Sequence, residues 1–368
     1  RKIDEDVIRF CDAIRANADT ESIPIFIITR DRQGRMDIPE SLSDLTFISG
    51  ATDRDRLIHL IDNVLRHNIT LKFWGVRGST PCANRENIEF GGNTTCVQIE
   101  LPDSNELLIL DSGTGIRNLG NQLDEQGEQV KGHIFITHPH WDHIQGFPFF
   151  KPIYNRNNHF DIHMPPQVNG GCKEILSGHL TKTFFPVTLE MIDANIEYIT
   201  QSEERQQYPG YEVEYMLANH PINTAIYKIH IGGKKIVFCP DNELTPIAEK
   251  TDAFFYTKLK EFLQDADILI HDAQYDRNSY KDKVGWGHSA WEEAVDFAIR
   301  SNVKNLFLTH HDPDSNDLYL KDLDERIKDS YSHQFDTIQL TKEGDEVQVG
   351  VEVEASSLKG TPGHLPLH

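Results

Sequence analysis

The sequence is poor in cysteine, and its few cysteines are not arranged for disulfide bonds or metal binding. Five cysteines occur in 368 residues, an odd number, and none forms a CxxC pair. This usage excludes a disulfide-stapled scaffold and a thiolate zinc site. No signal-peptide pattern opens the chain, and Arg1 begins inside a helix-like segment that we expect to be truncated. We therefore expect a protein of the reducing cytoplasm.

Basic residues are outnumbered by acidic ones, and the sequence has no long apolar run. Lys and Arg number 36 against 58 Asp and Glu, which gives a formal net charge of -22. Proteins that hold a long phosphate backbone do so with clustered Lys and Arg. The charge balance therefore predicts that a long nucleic acid is not the partner and favours a small substrate. No apolar run approaches the length that a bilayer requires, so no membrane partner is expected.

The hydrophobic pattern divides the chain into regions of different character. Residues 1–68 read as helix, strand, loop, strand, helix, an alternation typical of parallel strands joined by helices. Residues 69–352 form a series of short strands, from LKFWGV to TIQLTK, with turns and helices between them. These residues predict one larger α/β domain. Residues 353–368 predict a disordered tail.

The richest polar cluster is HPHWDH, which follows the apolar strand pattern HIFIT. It contains His138, His140, Asp142 and His143. Imidazole and carboxylate groups at this spacing are the ligands that a borderline divalent ion such as zinc prefers, although manganese and iron remain alternatives. The loop at the end of a strand can hold such ligands on a rigid support. The spacing therefore predicts a metal site.

Three other predicted strands end at residues that could complete such a site. YEVEYMLANH ends at His220, KKIVFCPD at Asp241 and VKNLFLTH at His310, with His311 as the alternative to His310. We assign His138, His140 and His220 to one metal, and Asp142, His143 and His310 to a second. Asp241 has two carboxylate oxygens and is the natural bridge between two cations.

These ligands, together with LILDSGTGIR (108–117), resemble the metallo-β-lactamase-fold hydrolases. The resemblance covers about residues 70–350 and implies a four-layer αββα sandwich with a dinuclear site at one edge of its two sheets. It also implies that Asp111 orients the loop around the metal ligands.

FWGVRGSTPC (73–82) and FGGNTTC (90–96) are similar to openings in the ribonuclease Z-like and phosphodiesterase branch of that family. Arg77 and Asn93 lie in these stretches, and both stretches are equally well explained as tight glycine turns.

The first region carries a separate resemblance. Residues 1–68 resemble the C-terminal half of a two-component receiver domain, with Thr29 in the position of the family's switch hydroxyl. Ser49 and Gly50 stand where that family has a lysine, and its phosphoacceptor aspartate would lie before Arg1. The alternatives are a small interaction module that serves a signalling partner or a homodimer.

WGHSAWEEAVDFAIR (286–300) bears on the choice of reaction. Ser289 and Glu292 predict a capping box that opens an amphipathic helix, which would fix His288 at the helix N-terminus, where an anion is favoured. GHS followed by a helix also resembles the phosphodiesterase branch, where this histidine is catalytic. His271-Asp272 in LIHDAQ resembles the family's strand before that loop, and the resemblance implies that Asp272 orients His288.

The resulting prediction is a metal-dependent phosphodiesterase. Two cations about 4 Å apart would turn a bridging water into a hydroxide that attacks phosphorus. Asp142 would accept or position its proton, and His288 would protonate the leaving oxygen. The chain lacks an evident basic arm for gripping tRNA, and CPDN surrounds Asp241 in place of Gly-Asp-Thr, so a small phosphodiester or cyclic nucleotide is the expected substrate.

Two alternatives to this prediction stay open. One is a thioester or lactam hydrolase on the same fold, which would be indifferent to the loss of His288. The other is a receiver-linked signalling module whose metal site is vestigial. The aromatic pairs in GFPFF (146–150) and KTFFP (182–186) could stack on a nucleobase or belong to the core.

Overall fold

The computed structural model describes residues 26–29, 46–49, 68–101, 104, 106–245 and 252–350. The chain forms two units, Arg1–Asn68 and Ile69–His368. In the first unit, β1 (Phe26–Thr29) pairs in parallel with β2 (Thr46–Ser49), as the alternating pattern predicts. The helices predicted within residues 1–68 and the tail predicted at 353–368 lie outside the described residues. The receiver-like resemblance stays a prediction.

Two sheets, called here sheet A and sheet B, form the frame of the second unit. Over the described residues, each contains seven strands. The strands of sheet A are β3 (Asn68–Gly75), β4 (Cys96–Glu100), β5 (Glu106–Leu110), β6 (Lys131–Phe135), β7 (His159–Met164), β8 (Asn195–Thr200) and β16 (Glu346–Gly350). The strands of sheet B are β9 (Arg205–Tyr208), β10 (Tyr211–Leu217), β11 (Ala225–Ile231), β12 (Lys234–Cys239), β13 (Ile268–Asp272), β14 (Asn305–Thr309) and β15 (Thr337–Leu340).

The order of the strands brings the ends of the parallel strands to one edge. Sheet A runs β16-β3-β4-β5-β6-β7-β8, and sheet B runs β15-β14-β13-β12-β11-β10-β9. Strands β5 to β8 are parallel, and so are β12 to β15. Because β10 and β12 are both antiparallel to β11, β10 runs in the same direction as β12. Loops after parallel strands share an edge, which is where open α/β sheets place their sites.

Helices cover the outer face of each sheet. The described helices are α1 (Ile116–Gln126), α2 (Trp141–Ile144), α3 (Cys172–His179), α4 (Ala253–Leu263), α5 (Trp291–Arg300) and α6 (Asp317–Tyr331). Helices α1 and α3 pack on sheet A, while α4, α5 and α6 pack on sheet B. A third apolar cluster fills the space between the sheets. The order helix, sheet, sheet, helix confirms the predicted four-layer αββα sandwich.

Strand β5 illustrates why the central strands are apolar along their whole length. Leu108 and Leu110 pack between the two sheets, whereas Leu107 and Ile109 face the helical layer. Successive side chains of a strand point to opposite faces, so a strand that is covered on both sides is buried at every position. Each such side chain contributes about 1.5–3 kcal/mol through burial.

Three strands were not predicted from the sequence, namely β8, β9 and β16. Their burial pattern is intermediate or exposed, and β9 has the sequence RQQY. Polar edge strands lack the apolar signal on which strand prediction depends. None of the helices in the described part of the chain combines the length and the apolar character needed to cross a bilayer.

Candidate metal centre and active site

The seven predicted metal ligands come from both sheets and meet at the common edge. In the first group, His138 Nε2 lies 2.9 Å from His140 Nδ1, which lies 3.2 Å from His220 Nε2. Asp241 Oδ2 is 3.6 Å from His138 Nε2 and 3.9 Å from His220 Nε2. One ligand atom from each of these four residues lies within 4.8 Å of the others.

The second group lies on the other side of Asp241. His143 Nε2 is 3.3 Å from His310 Nε2, and Asp142 Oδ2 is 3.2 Å from His310 Nε2. Asp241 Oδ1 lies 3.1 Å from His143 Nε2 and 3.2 Å from His310 Nε2. The two carboxylate oxygens of Asp241 therefore face different groups, which is the arrangement of a bridging ligand.

The chemistry of these donors fits divalent cations. A tetrahedral ion with ligands at about 2.0–2.1 Å has ligand atoms about 3.3 Å apart, which is close to the spacing of the ring nitrogens. Asp241 Oδ1 is buried and makes no hydrogen bond. Among the described residues, Asp142 and Asp241 form ion pairs with histidines and with no lysine or arginine. Buried carboxylates without such partners favour a bound metal.

The loop after β6 is held in place by Asp111, at the end of β5. Asp111 Oδ1 accepts a hydrogen bond from Thr137 N at 2.7 Å, and Asp111 Oδ2 lies 2.7 Å from His143 Nδ1. Burial raises the pKa of Asp111, although His143 opposes the rise. Asp111 itself has φ 61°, in the left-handed region. Its contacts orient the ligand loop, as the family resemblance implies.

The electrostatics of the second group centre on His143. Burial disfavours its charged form, but Asp241, Asp142 and Asp111 outweigh burial and raise the pKa of His143 well above its usual range. Asp111 holds His143 Nδ1, so Nε2 is the ring nitrogen that faces His310 and Asp241.

His310, rather than His311, joins the cluster. The backbone at His310 has φ 64°, so the chain turns sharply after β14. His311 points elsewhere, and its Nε2 lies 2.8 Å from Thr341 O. Gly78 makes room for the His310 ring, because a Cβ at residue 78 would lie 2.3 Å from His310 Nδ1. Gln274 Oε1 lies 3.2 Å from the same nitrogen.

His220 is oriented by the backbone of a glycine. Its Nδ1 lies 3.0 Å from Gly287 O, which leaves Nε2 to face His140. Gly287 has φ 89°, and a Cβ there would lie 2.1 Å from His220 Nδ1. The sequence of the GHS segment gives no sign of this close approach.

His288 lies beside both groups. Its Nδ1 is 3.0 Å from Asp272 Oδ2, the contact that the sequence predicts, and 3.8 Å from Asp241 Oδ2. Its ring stacks on that of His310 with centroids 4.9 Å apart. Burial lowers the pKa of His288, but Asp272 outweighs burial, and the pKa rises to about 9.

The predicted capping box is wrong. Helix α5 begins at Trp291, its N-cap is Ala290, and no side chain caps it. Ser289 Oγ accepts from Leu244 N, and Glu292 Oε2 accepts from Arg277 N. His288 therefore precedes the helix in an irregular segment, because tertiary partners compete for the groups that would otherwise form the cap.

Two other residues raised by the sequence have structural roles. Arg77 is fully buried, and its guanidinium donates to the backbone oxygens of Gly91, Asp312 and Ser315. Asn93 Nδ2 donates to Glu343. The glycine-rich openings thus build the loop under the site, and neither side chain belongs to the ligand groups.

The paired phenylalanines divide between core and surface. Phe150 is fully buried, whereas Phe149 is half exposed and contacts Phe185 edge to face. Trp141 and Trp286, which adjoin His140 and Gly287 in sequence, are 75% and 55% exposed. No pattern in the sequence singles out these two tryptophans.

Comparison with known proteins gives relatives of consistent type. Ribonuclease Z of Haloarcula marismortui is 24% identical over 277 residues, which cover 65% of this chain and 84% of that protein. A diphosphatase of the PhnP family covers 77% of this chain and 97% of its own, with 16% identity and a TM-score of 0.53. Human tRNase Z, short form, covers 77% and 100%, with 17% identity and a TM-score of 0.50.

These relatives correct the prediction about partners. The sequence predicted that a long nucleic acid is not the partner, yet a relative in sequence is a ribonuclease and a structural neighbour is a tRNase. The formal charge of -22 sums over the whole chain. It therefore says little about the local surface that would meet a phosphate backbone.

The family assignment rests on a match to most of the sandwich. The family described as the Beta-lactamase superfamily domain matches residues 108–311. That range begins with β5 before Asp111 and extends past His310, so it includes all seven predicted ligands. The fold, the arrangement of the site and this match agree, and the chain belongs to the β-lactamase superfamily, among the metallo-β-lactamase-fold hydrolases.

Proposed function

We propose that this chain is a dinuclear metal-dependent phosphodiesterase, with zinc as the metal. His138, His140 and His220 would hold one ion, and Asp142, His143 and His310 the other. Asp241 would be shared between the two ions. The observation that carries the proposal is the division of Asp241, whose Oδ1 and Oδ2 atoms approach different histidine groups. The intact set also favours catalysis over a vestigial site.

Bound divalent cations supply Lewis acidity to the phosphoryl oxygens and acidify water. Asp142 would position the proton of the attacking water. Its Oδ2 accepts a hydrogen bond from Ser79 N at 2.7 Å, which fixes the carboxylate beside His310. Burial opposes ionisation of Asp142, but His143 and His310 outweigh it and hold the pKa of Asp142 well below its usual range. The carboxylate therefore positions a proton rather than storing one.

His288 would protonate the leaving oxygen. Asp272 engages its Nδ1, so Nε2 is the nitrogen that gives a proton to the departing oxygen. Asp272 also accepts from Ser289 N at 3.1 Å, which fixes the backbone next to His288. Positioning of this kind is what a carboxylate partner does for a catalytic histidine.

Two substrates are candidates for this chemistry. The sequence favours a small phosphodiester or cyclic nucleotide, whereas the ribonuclease Z relative and the tRNase Z neighbour make an RNA phosphodiester the second candidate. Trp141 and Trp286 are exposed next to His140 and Gly287, where aromatic rings could stack on a nucleobase of either substrate.

The proposal is tested by zinc analysis of the purified chain followed by turnover assays. Bis(p-nitrophenyl) phosphate, a cyclic nucleotide, an RNA with a 3′ extension, a chromogenic lactam and a thioester would each be offered to wild type and His288→Ala. We expect two zinc ions at the positions formed by these seven residues, and cleavage of the phosphodiesters. His288→Ala should lower that turnover about a hundredfold or more, since general acid catalysis contributes this much.

The zinc content of His288→Ala separates two roles. His288, Asp241 and His310 also lie close enough together to share an ion. Retention of both ions with reduced turnover supports the acid role. Loss of an ion from this variant would make His288 a ligand, and lactam or thioester turnover without diester turnover would overturn the proposed reaction.

A further inference from the structure

We propose that His133, Asp161 and His163 form a second metal site, which binds a zinc-like divalent ion between the two sheets. This site is separate from the seven predicted metal ligands, called here the catalytic cluster after their proposed role, and it does not rest on the proposed function. His133 lies on β6, five residues before His138, which corresponds to about 16 Å of extended strand. Asp161 and His163 lie on the neighbouring strand β7.

Strand register places the three side chains on one face of sheet A. His133 pairs with Asp161, and Phe135 pairs with His163, in the parallel ladder between β6 and β7. His133 Nδ1 lies 3.1 Å from His163 Nε2 and 3.7 Å from Asp161 Oδ2. One ligand atom from each residue lies within 4.8 Å of the others. Two imidazoles and a carboxylate are a donor set that zinc accepts.

Unsatisfied polar atoms gather at this cluster. Asp161 Oδ1, His163 Nδ1 and Tyr211 Oη are buried without a hydrogen-bond partner. Asp161 Oδ1 accepts no hydrogen bond even though His159 Nε2 lies 3.0 Å away, and the aromatic ring of Tyr211 is 6.1 Å from that of His133. Buried polar atoms without partners are rare and call for a water or an ion. Asp241 Oδ1 in the catalytic cluster has the same property.

A second cluster of similar composition differs in how its carboxylate charge is balanced. Glu212, Glu214 and His230 also offer three close ligand atoms. Their carboxylates are neutralised by protein cations, since Arg205 contacts both glutamates and Lys228 Nζ lies 2.8 Å from Glu214 Oε2. Asp161, in contrast, forms its described ion pairs with His133 and His159.

The surroundings supply both access and a role for the ion. His163 lines a surface cavity of about 590 Å³ together with Tyr208 and Gln206, which gives a path for entry. Tyr208 and Tyr211 belong to sheet B and pack their rings against His133. An ion here would tie β6 to β7 beneath these rings and stabilise the junction of the two sheets.

The site is tested first with the wild-type chain, crystallised with zinc. Anomalous scattering at the zinc edge should give a peak bounded by His133, Asp161 and His163, in addition to any peaks at the catalytic cluster. Because the two clusters give separate peaks, each site is judged independently. A map with catalytic peaks and none at this cluster would overturn the inference and assign the buried atoms to water.

Variants then test the ligands in solution. Asp161→Asn keeps the size of the side chain and should remove one zinc ion per chain, or weaken zinc binding at this site at least tenfold. His230→Gln, in the cluster neutralised by Arg205 and Lys228, is the matched control and should leave the zinc content unchanged. Equal zinc content in wild type and Asp161→Asn would contradict the site.

Discussion

Sheet A and sheet B supply the proposed catalytic cluster in different ways. Sheet A contributes four side chains from one segment, residues 138–143, that follows β6 and includes the single turn α2. Sheet B contributes His220, Asp241 and His310 from the ends of three different strands. Chain connectivity keeps the first set together, whereas the second set depends on how the strands of sheet B align and how the two sheets pack.

The supporting contacts follow the same division. In sheet A, Asp111 on the adjacent strand contacts both Thr137 and His143 of the ligand loop, and Ser79 N donates to Asp142. In sheet B, each ligand needs its own support, such as the Gly287 carbonyl for His220 and Gln274 for His310. One carboxylate thus supports two residues of the local segment, while His220 and His310 in the dispersed half have separate supports. Substitutions around sheet B are therefore a sharp test of the comparison.

The largest effect is expected where the two halves join. Asp241→Ala removes the carboxylate that both groups share, so we expect loss of both zinc ions and a fall in diester turnover of about a thousandfold, since metal catalysis supplies several kcal/mol. Zinc analysis and kcat/KM measure this. Asp267→Ala is the control. Asp267 lies just before the first residue of β13, whereas the cluster lies beyond the last residues of the parallel strands, so this variant should keep both ions. Retention of both ions in Asp241→Ala would refute the shared role.

An intermediate effect is expected at Asp272, which supports His288 from β13. Asp272→Asn should retain zinc and lower turnover by about ten- to a hundredfold, as partners of this kind commonly do. Asp272 raises the pKa of His288, so its removal lowers that pKa. A general acid is lost as pH rises through its pKa, and the alkaline limb of the kcat profile should therefore move to lower pH. An unmoved limb would argue that Asp272 only stabilises the fold.

The smallest effect is expected from a pair of glycines next to His220. Gly287→Ala and Gly285→Ala both place a side chain at positive φ, 89° and 84°, and should lose similar stability. Only the Cβ at residue 287 meets His220, because nothing lies within 4 Å of a Cβ at residue 285. We expect zinc binding about tenfold weaker in Gly287→Ala alone. Equal zinc affinity in the two variants would show that the close approach is unimportant.

The sequence named candidate residues in both halves of the cluster, the local segment after β6 and the dispersed residues of sheet B. The HPHWDH spacing identifies four ligand-type residues without reference to any other part of the chain. His220, Asp241 and His310 could be named because each follows an apolar strand, and the ends of parallel strands meet at one edge. The polar strands at the edges of the sheets, β8, β9 and β16, lack an apolar run and were not predicted.

Two predictions were wrong, one drawn from a local pattern and one drawn from a property of the whole chain. Ser289 and Glu292 have capping-box spacing, but Leu244 and Arg277 take up their side chains instead. The overall negative charge predicted against a nucleic acid, which the ribonuclease relatives contradict. Both predictions used properties of the sequence that are not specific to the site.

The sequence by itself determined where the central strands lie, because a strand covered on both faces must be apolar at every position. The four-layer order came from the family resemblance of its motifs. It also determined which residues can bind metal, because the donor chemistry belongs to the side chains. Only the tertiary structure decided that the alternative, His311, turns away from the cluster and that His133 meets Asp161 and His163. Those choices depend on backbone turns and strand register, which are fixed by contacts between residues far apart in the chain.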